Sequence, residues 1–145
     1  MAYKAIEIAK YIITYCQERG ICISNLKLQK LLYYTWIDYY KSTSQYLFDD
    51  EICAWQFGPV VPGVYYEFCS YAGISISLPY ECKAEFDQTD KRIIDSTLST
   101  MAKFTASELV RRTHCAGTPW DIVFHNNGDR SVIPFSLIVD KECTL

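Results

Sequence analysis

The residues with the means to do covalent or metal chemistry in this 145-residue chain are few: two histidines, seven cysteines and one acidic triplet. His114 and Cys115 are neighbours in sequence, and neighbouring side chains on a helix diverge, so thiol and imidazole make a poor dyad. His114 reads instead as the last residue of a helix, where an imidazole sits well against the negative end of the dipole. His125 precedes Asn126-Asn127-Gly128 and is expected to face solvent. Asp49-Asp50-Glu51 reads as a hairpin tip, where Asp bonds its own backbone. A tip offers little of the burial that tunes carboxylates for acid–base work, and the triplet lacks the alternating oxygen spacing of a calcium loop. Cys16, Cys22, Cys53, Cys69, Cys82, Cys115 and Cys143 are odd in number, irregularly spaced and without a CxxC. That pattern suits neither a disulfide framework nor a zinc knuckle. Most have apolar neighbours and read as small hydrophobes, in keeping with a reducing cytoplasm. No GxSxG elbow, GxGxxG turn or GxxxxGK[ST] loop occurs. The reading is a non-enzymatic protein with no catalytic residue, no cofactor and no metal.

The elements that would carry such groups follow from composition and periodicity. Half the residues are hydrophobic and 15% aromatic, enough for a core without staples, so residues 1–145 are expected to form one domain. The net charge of −3 gives no general attraction to nucleic acid, and Arg111-Arg112 and Lys91-Arg92 read as solvated helix faces. No apolar run approaches the ~20 residues that span a bilayer, and the acid in Met1-Ala2-Tyr3-Lys4-Ala5-Ile6-Glu7 breaks any signal-peptide core.

Ala5, Ile8, Ala9, Ile12, Ile13 and Cys16 recur at helical spacing, which predicts an amphipathic helix from about 3 to 19 closed by Gly20. Ser24 caps a second helix over about 25–42, apolar around most of its girth, and therefore central. A short link joins these two helices, as in a helix-turn-helix, but the second is wrapped in aromatics and reads as core rather than as a groove reader. Tyr46-Leu47-Phe48 and Ile52-Cys53-Ala54-Trp55-Gln56-Phe57 read as the two strands of a hairpin, ended by Gly58-Pro59. Pro62 opens a third helix to about 72, with Val64, Tyr65, Phe68, Cys69 and Ala72 on one face. Residues 74–86 are a connector in which Ile74–Leu78 could add a strand. Asp87 starts a fourth helix with a stripe of Ile94, Leu98, Met101 and Ala102. Thr105-Ala106-Ser107-Glu108 and Thr118-Pro119-Trp120-Asp121 have capping-box spacing and open two more helices. Ser131-Val132-Ile133 is extended, and Pro134 begins a last helix to about 142. The fold class is α+β, mainly α: a compact bundle of about six helices with a small antiparallel hairpin.

What chemistry leaves over is aromatic surplus. Twelve Tyr, seven Phe and three Trp exceed what a core of this size easily hides. Tyr is apolar in body and polar at its tip, suited equally to interfaces and to the rim of a core. Tyr46, Tyr65 and Tyr66 are the candidate partner-binding residues, on a patch around the third helix and the hairpin. The same surplus would serve a homodimer.

Leu28-Gln29-Lys30-Leu31-Leu32-Tyr33-Tyr34, then Phe48, then Ala54 through Tyr65 (Ala-Trp-Gln-Phe-Gly-Pro-Val-Val-Pro-Gly-Val-Tyr), then Ala106-Ser107-Glu108-Leu109, Thr113-His114 and Pro119-Trp120 resemble the Panacea domain of SocA-like antitoxins. The likeness runs through about residues 5 to 142, and the family also includes phage-associated proteins called GepA. It implies an antitoxin that neutralises a protein toxin by direct binding, and in the SocA branch an adaptor handing its toxin to an AAA+ protease. The alternative on the same domain is a phage-encoded inhibitor of a host defence complex such as a CRISPR effector. Residues shared by members that bind unlike toxins, such as Trp55, Gly58, Pro59 and Trp120, read as scaffold.

Overall fold

In a computed structural model, which describes residues 2–144, the chain is mainly helical with one small antiparallel sheet. Among the described residues there are seven α-helices: α1 (Ala5–Glu18), α2 (Asn25–Thr43), α3 (Pro62–Glu67), α4 (Gln88–Met101), α5 (Ala106–Thr113), α6 (Pro119–Asn127) and α7 (Phe135–Glu142). Strands β1 (Cys53–Trp55), β2 (Gly58–Val60) and β3 (Ser131–Val132) form the sheet, in the order β2-β1-β3. The α+β, mainly α class expected from periodicity is the one observed: the seven helical segments traced along the sequence are present against a count of about six, and the extended Ser131-Val132 joins the hairpin as a third strand.

α2 is the hub. It packs against α1, α3, α4, α5, α7 and β2. Leu28, Leu31, Leu32 and Trp36 are fully buried along it, and each such side chain contributes about 2 kcal/mol by leaving water. The Ser24 hydroxyl accepts the Lys27 N–H at 3.2 Å to cap it, and Ser44 turns left-handed (φ 59°) to end it. The Trp36 indole, deep in the core, donates to the Phe48 carbonyl at 2.9 Å, so its polar atom is satisfied. α1 lays Ile8, Ile12 and Ile13 against this hub, and α4 adds Ile94, Leu98, Met101 and Ala102, the stripe read from the sequence. Thr105 and Glu108 close the expected capping box on α5, and Thr118 caps α6.

Four expectations are corrected. The hairpin is β1 with β2, turning at Gln56-Phe57, and Gly58-Pro59 lies in its second strand rather than ending the ladder. Pro59 is tolerated because β2 is an edge strand, where a missing N–H need not interrupt pairing. Phe48 instead makes an isolated parallel bridge with Tyr3. The acidic triplet is therefore no hairpin tip: Asp50 Oδ1 accepts the Ala5 N–H at 3.1 Å and caps α1, whose own N-cap Lys4 makes no side-chain bond. Residues 74–78 form no strand. They hang on α1 and its exit through Gln17 Nε2, which donates to the Ile76 and Leu78 carbonyls, and through the Ile76 N–H to Ile23 carbonyl bond. The third helix ends at Glu67 and continues only as a 3-10 turn over Cys69–Tyr71, leaving Cys69 and Ala72 exposed. Of the seven free thiols, Cys16 and Cys53 are buried while Cys22, Cys69 and Cys115 are exposed. No helix among the described residues is long and apolar enough to cross a membrane.

Candidate functional site

The segment from β2 into α3 contains two prolines and runs extended between a strand and a helix, so its backbone groups need partners from elsewhere. α2 supplies them from three polar residues buried in its apolar surface. Lys30 Nζ donates to the Pro59 carbonyl at 3.0 Å, Gln29 Oε1 accepts the Val61 N–H at 2.9 Å, and Asn25 Nδ2 donates to the Tyr65 carbonyl at 3.0 Å. Gln29 Nε2 also donates to Asn25 Oδ1 at 3.0 Å, tying the set together. Lys30 is wholly buried, and burial pulls its pKa from 10.5 down to about 7. Its stem reaches Pro59 only because Gly58 has no side chain. A Cβ there would stand 2.6 Å from Lys30 Cε and 2.8 Å from Thr113 Oγ1, on a backbone with φ +114°.

This clamp fixes an aromatic cleft of about 450 Å³ whose lining includes Leu26, Trp55, Phe57, Tyr65, Tyr66 and Arg130. Phe57 and Tyr66 are each 57% exposed. The Trp55 ring meets Tyr65 edge-on at 4.9 Å and Tyr66 at 5.9 Å. The Arg130 guanidinium lies 4.4 Å above the Trp55 ring and donates to the Tyr66 hydroxyl at 3.4 Å. Arg130 is held there by its own backbone: its φ is +69°, and its N–H donates to the Ala54 carbonyl at 2.6 Å. Beneath, the Trp120 indole donates to the Trp55 carbonyl at 2.7 Å. The Trp55 Nε1 is sealed from solvent with no acceptor among the described residues. A Trp, two Tyr and an Arg on a clamped backbone form a surface of the composition that dominates protein–protein binding.

Of the residues singled out from the sequence, Tyr65 and Tyr66 line this cleft with their rings 5.8 Å apart. Tyr46 does not. It packs in a second aromatic group with Phe135 (4.8 Å), Trp36 (5.2 Å) and Tyr40 (6.1 Å), 41% exposed, beside the end of α2. The structure adds Phe57, which the sequence placed at the end of a strand and which lies at the hairpin turn, and Arg130, between the Asn126–Asp129 turn and the extended Ser131–Ile133. For Arg130 the one signal was the preceding Asn126-Asn127-Gly128-Asp129 turn, and its backbone partner Ala54 lies far away in sequence. Trp120, read as scaffold, does not line the cleft and holds the Trp55 backbone through its indole N–H. Trp55 belongs to both scaffold and surface.

His114 closes α5 as expected, and its ring stacks on Trp120 at 3.7 Å and 3°. Its Nε2 is buried without a partner among the described residues. Burial first, then the charge of Lys30, lowers its pKa and favours the neutral ring. His125 is exposed and pairs with Asp121 at 2.8 Å. No cluster of three or more His, Cys, Asp or Glu among the described residues is placed to hold a metal ion.

The family model described as antitoxin SocA-like, Panacea domain, matches residues 28–121, which include the hub helix from Leu28, the clamped hairpin, α3, α4, α5 and the start of α6. Over 133 residues the chain is 32% identical to Antitoxin SocA of Caulobacter vibrioides (strain NA1000 / CB15N), covering 83% of this chain and 70% of that protein. No solved structure matches.

Proposed function

The chain belongs to the SocA-like antitoxin, Panacea domain family, and from that premise we propose that it neutralises a protein toxin by binding it directly through the Trp55 cleft. The observation that carries the reading is the cleft itself: exposed Phe57 and Tyr66 beside Trp55, with Arg130 stacked over the indole. Large rigid rings lose little entropy on binding, and an Arg already ordered on an aromatic face loses less still. Family membership supports the antitoxin role. The Asn25–Gln29–Lys30 clamp would be the common frame, and the ring-bearing rim the part that meets a particular partner. Such binding could mask the toxin or hold it for an AAA+ protease, and the toxin's half-life in cells separates the two. The test is co-expression with the product of the neighbouring gene. Growth rescue by the native chain, lost with Tyr66→Ala although that variant folds, supports the reading. Rescue undiminished by Tyr66→Ala and Phe57→Ser together would refute it. Tyr46 lies in a separate aromatic group, so Tyr46→Ala should leave rescue intact.

A further inference from the structure

A second cleft of about 440 Å³ opens between the α1–α2 link, the start of α2 and the α4–α5 junction, and Gly73 lines both it and the aromatic cleft. The charged residues lining it are Lys27 and Lys103 and no acid. Lys27 is only 7% exposed, yet its ammonium has no hydrogen-bond acceptor and no ion-pair partner among the described residues. Its stem is enclosed and its ammonium meets water only on the cleft side, and this partial desolvation lowers its pKa. It is not one of the solvent-sealed nitrogens, so its tip reaches the open space of the cleft. The first turn of the eight-residue α5 opens onto the same space through Thr105 and Ala106. Its capping box uses the Glu108 N–H, leaving the Ala106 and Ser107 N–H groups without intrahelical partners. Glu108 is the acid whose charge reaches Lys27, but it does not line the cleft, and its carboxylate already accepts the Thr105 N–H at 3.3 Å.

We propose that this cleft is an anion-binding site that takes a carboxylate from the partner protein, seated between Lys27, Lys103 and the Ala106–Ser107 N–H groups. The assignment rests on the direct-binding reading above. It adds a charge preference to it: a segment lying across Gly73 would place apolar or aromatic side chains against Trp55 and an acidic one against Lys27. The buried Lys27 gives the site its affinity, because an incoming anion supplies the acceptor it lacks. Lys103, exposed, adds attraction at longer range.

The experiment uses the full chain, labelled with nitrogen-15 and titrated with hexaglutamate, with sodium phosphate at matched ionic strength, and with tetralysine. Saturable movement of the Ala106 and Ser107 amide signals by hexaglutamate alone is the expected result. Lys27→Met should weaken that binding about tenfold, the size of one charged hydrogen bond. If Lys27→Met fails to fold, Lys103→Gln, altered at the surface, should weaken it by about threefold. Phosphate moving the same signals while hexaglutamate does not would overturn the partner carboxylate as the ligand. No saturable shift with either probe would overturn the site altogether. Because no toxin is present, neither failure touches the rescue test at Tyr66.

Discussion

Replacing Lys30 by methionine should remove a pH dependence of stability that the native chain carries. Lys30 is fully buried with one acceptor, the Pro59 carbonyl at 3.0 Å, and its pKa falls from 10.5 to about 7 in the folded protein. In the unfolded chain it returns to its ordinary value. Between these two values the unfolded chain holds the extra proton, so folding stability rises with pH, and below pH 7 both states are protonated and the slope vanishes. Integrating both titrations from pH 7 to pH 9 gives a rise of about 2 kcal/mol from this one group. Above that window other groups act in the opposite sense. Burial raises the Cys16 thiol from 9.0 to about 11, so its contribution is lost as pH climbs from 9. Both chains share the Cys16 thiol, so from pH 7 to pH 9 the difference between them reports Lys30, while below pH 7 it also carries His114, whose pKa the Lys30 charge lowers. Lys30→Met also leaves the Pro59 carbonyl without a donor, a constant offset of about 1–3 kcal/mol. Urea unfolding of both chains at pH 6, 7, 8 and 9 is the assay. The native-minus-variant stability should grow by about 2 kcal/mol from pH 7 to pH 9. Parallel curves would mean that Lys30 is not desolvated and that the clamp is misread.

Gly58→Ala forces a Cβ to 2.6 Å from Lys30 Cε on a backbone at φ +114°, and should cost about 3 kcal/mol or more in the same unfolding assay. Gly63→Ala meets nothing within 4 Å and should be neutral within about 0.5 kcal/mol. Thr105→Ala removes the Glu108 N–H acceptor at 3.1 Å, and should lower stability by about 1 kcal/mol in urea unfolding. Arg130→Met keeps length but loses the guanidinium over Trp55, and should weaken a purified toxin complex about tenfold by calorimetry with little change in Tm.

Local signals were legible in the sequence and distant ones were not. Ser24, Thr105 and Thr118 announce their helices because a cap bonds residues two or three positions on. The α2 and α4 stripes declare their buried faces by period alone. Gly58-Pro59 misleads because proline usually breaks a ladder. Only the edge position of β2 and the approach of Lys30 and Thr113 explain why glycine and proline stand there. Asn25, Gln29 and Lys30 look like polar letters in a greasy helix. Their partners at Tyr65, Val61 and Pro59 lie 40, 32 and 29 residues away, beyond any pattern. Tyr65 and Tyr66 fall in the cleft because they adjoin it in sequence. Arg130 reaches it through the β1–β3 register, with Ala54 opposite Ser131, which no periodicity encodes.

Neutralisation through the aromatic cleft, as proposed, leaves a footprint in backbone amide exchange. Hydrogen-exchange mass spectrometry of the chain with and without its purified toxin tests this most directly. Binding should slow exchange across residues 55–66 and 129–131 while leaving the Tyr46–Phe135 region unchanged. Protection confined to that second aromatic group, or to α6 and α7 with the cleft still exchanging freely, would contradict it.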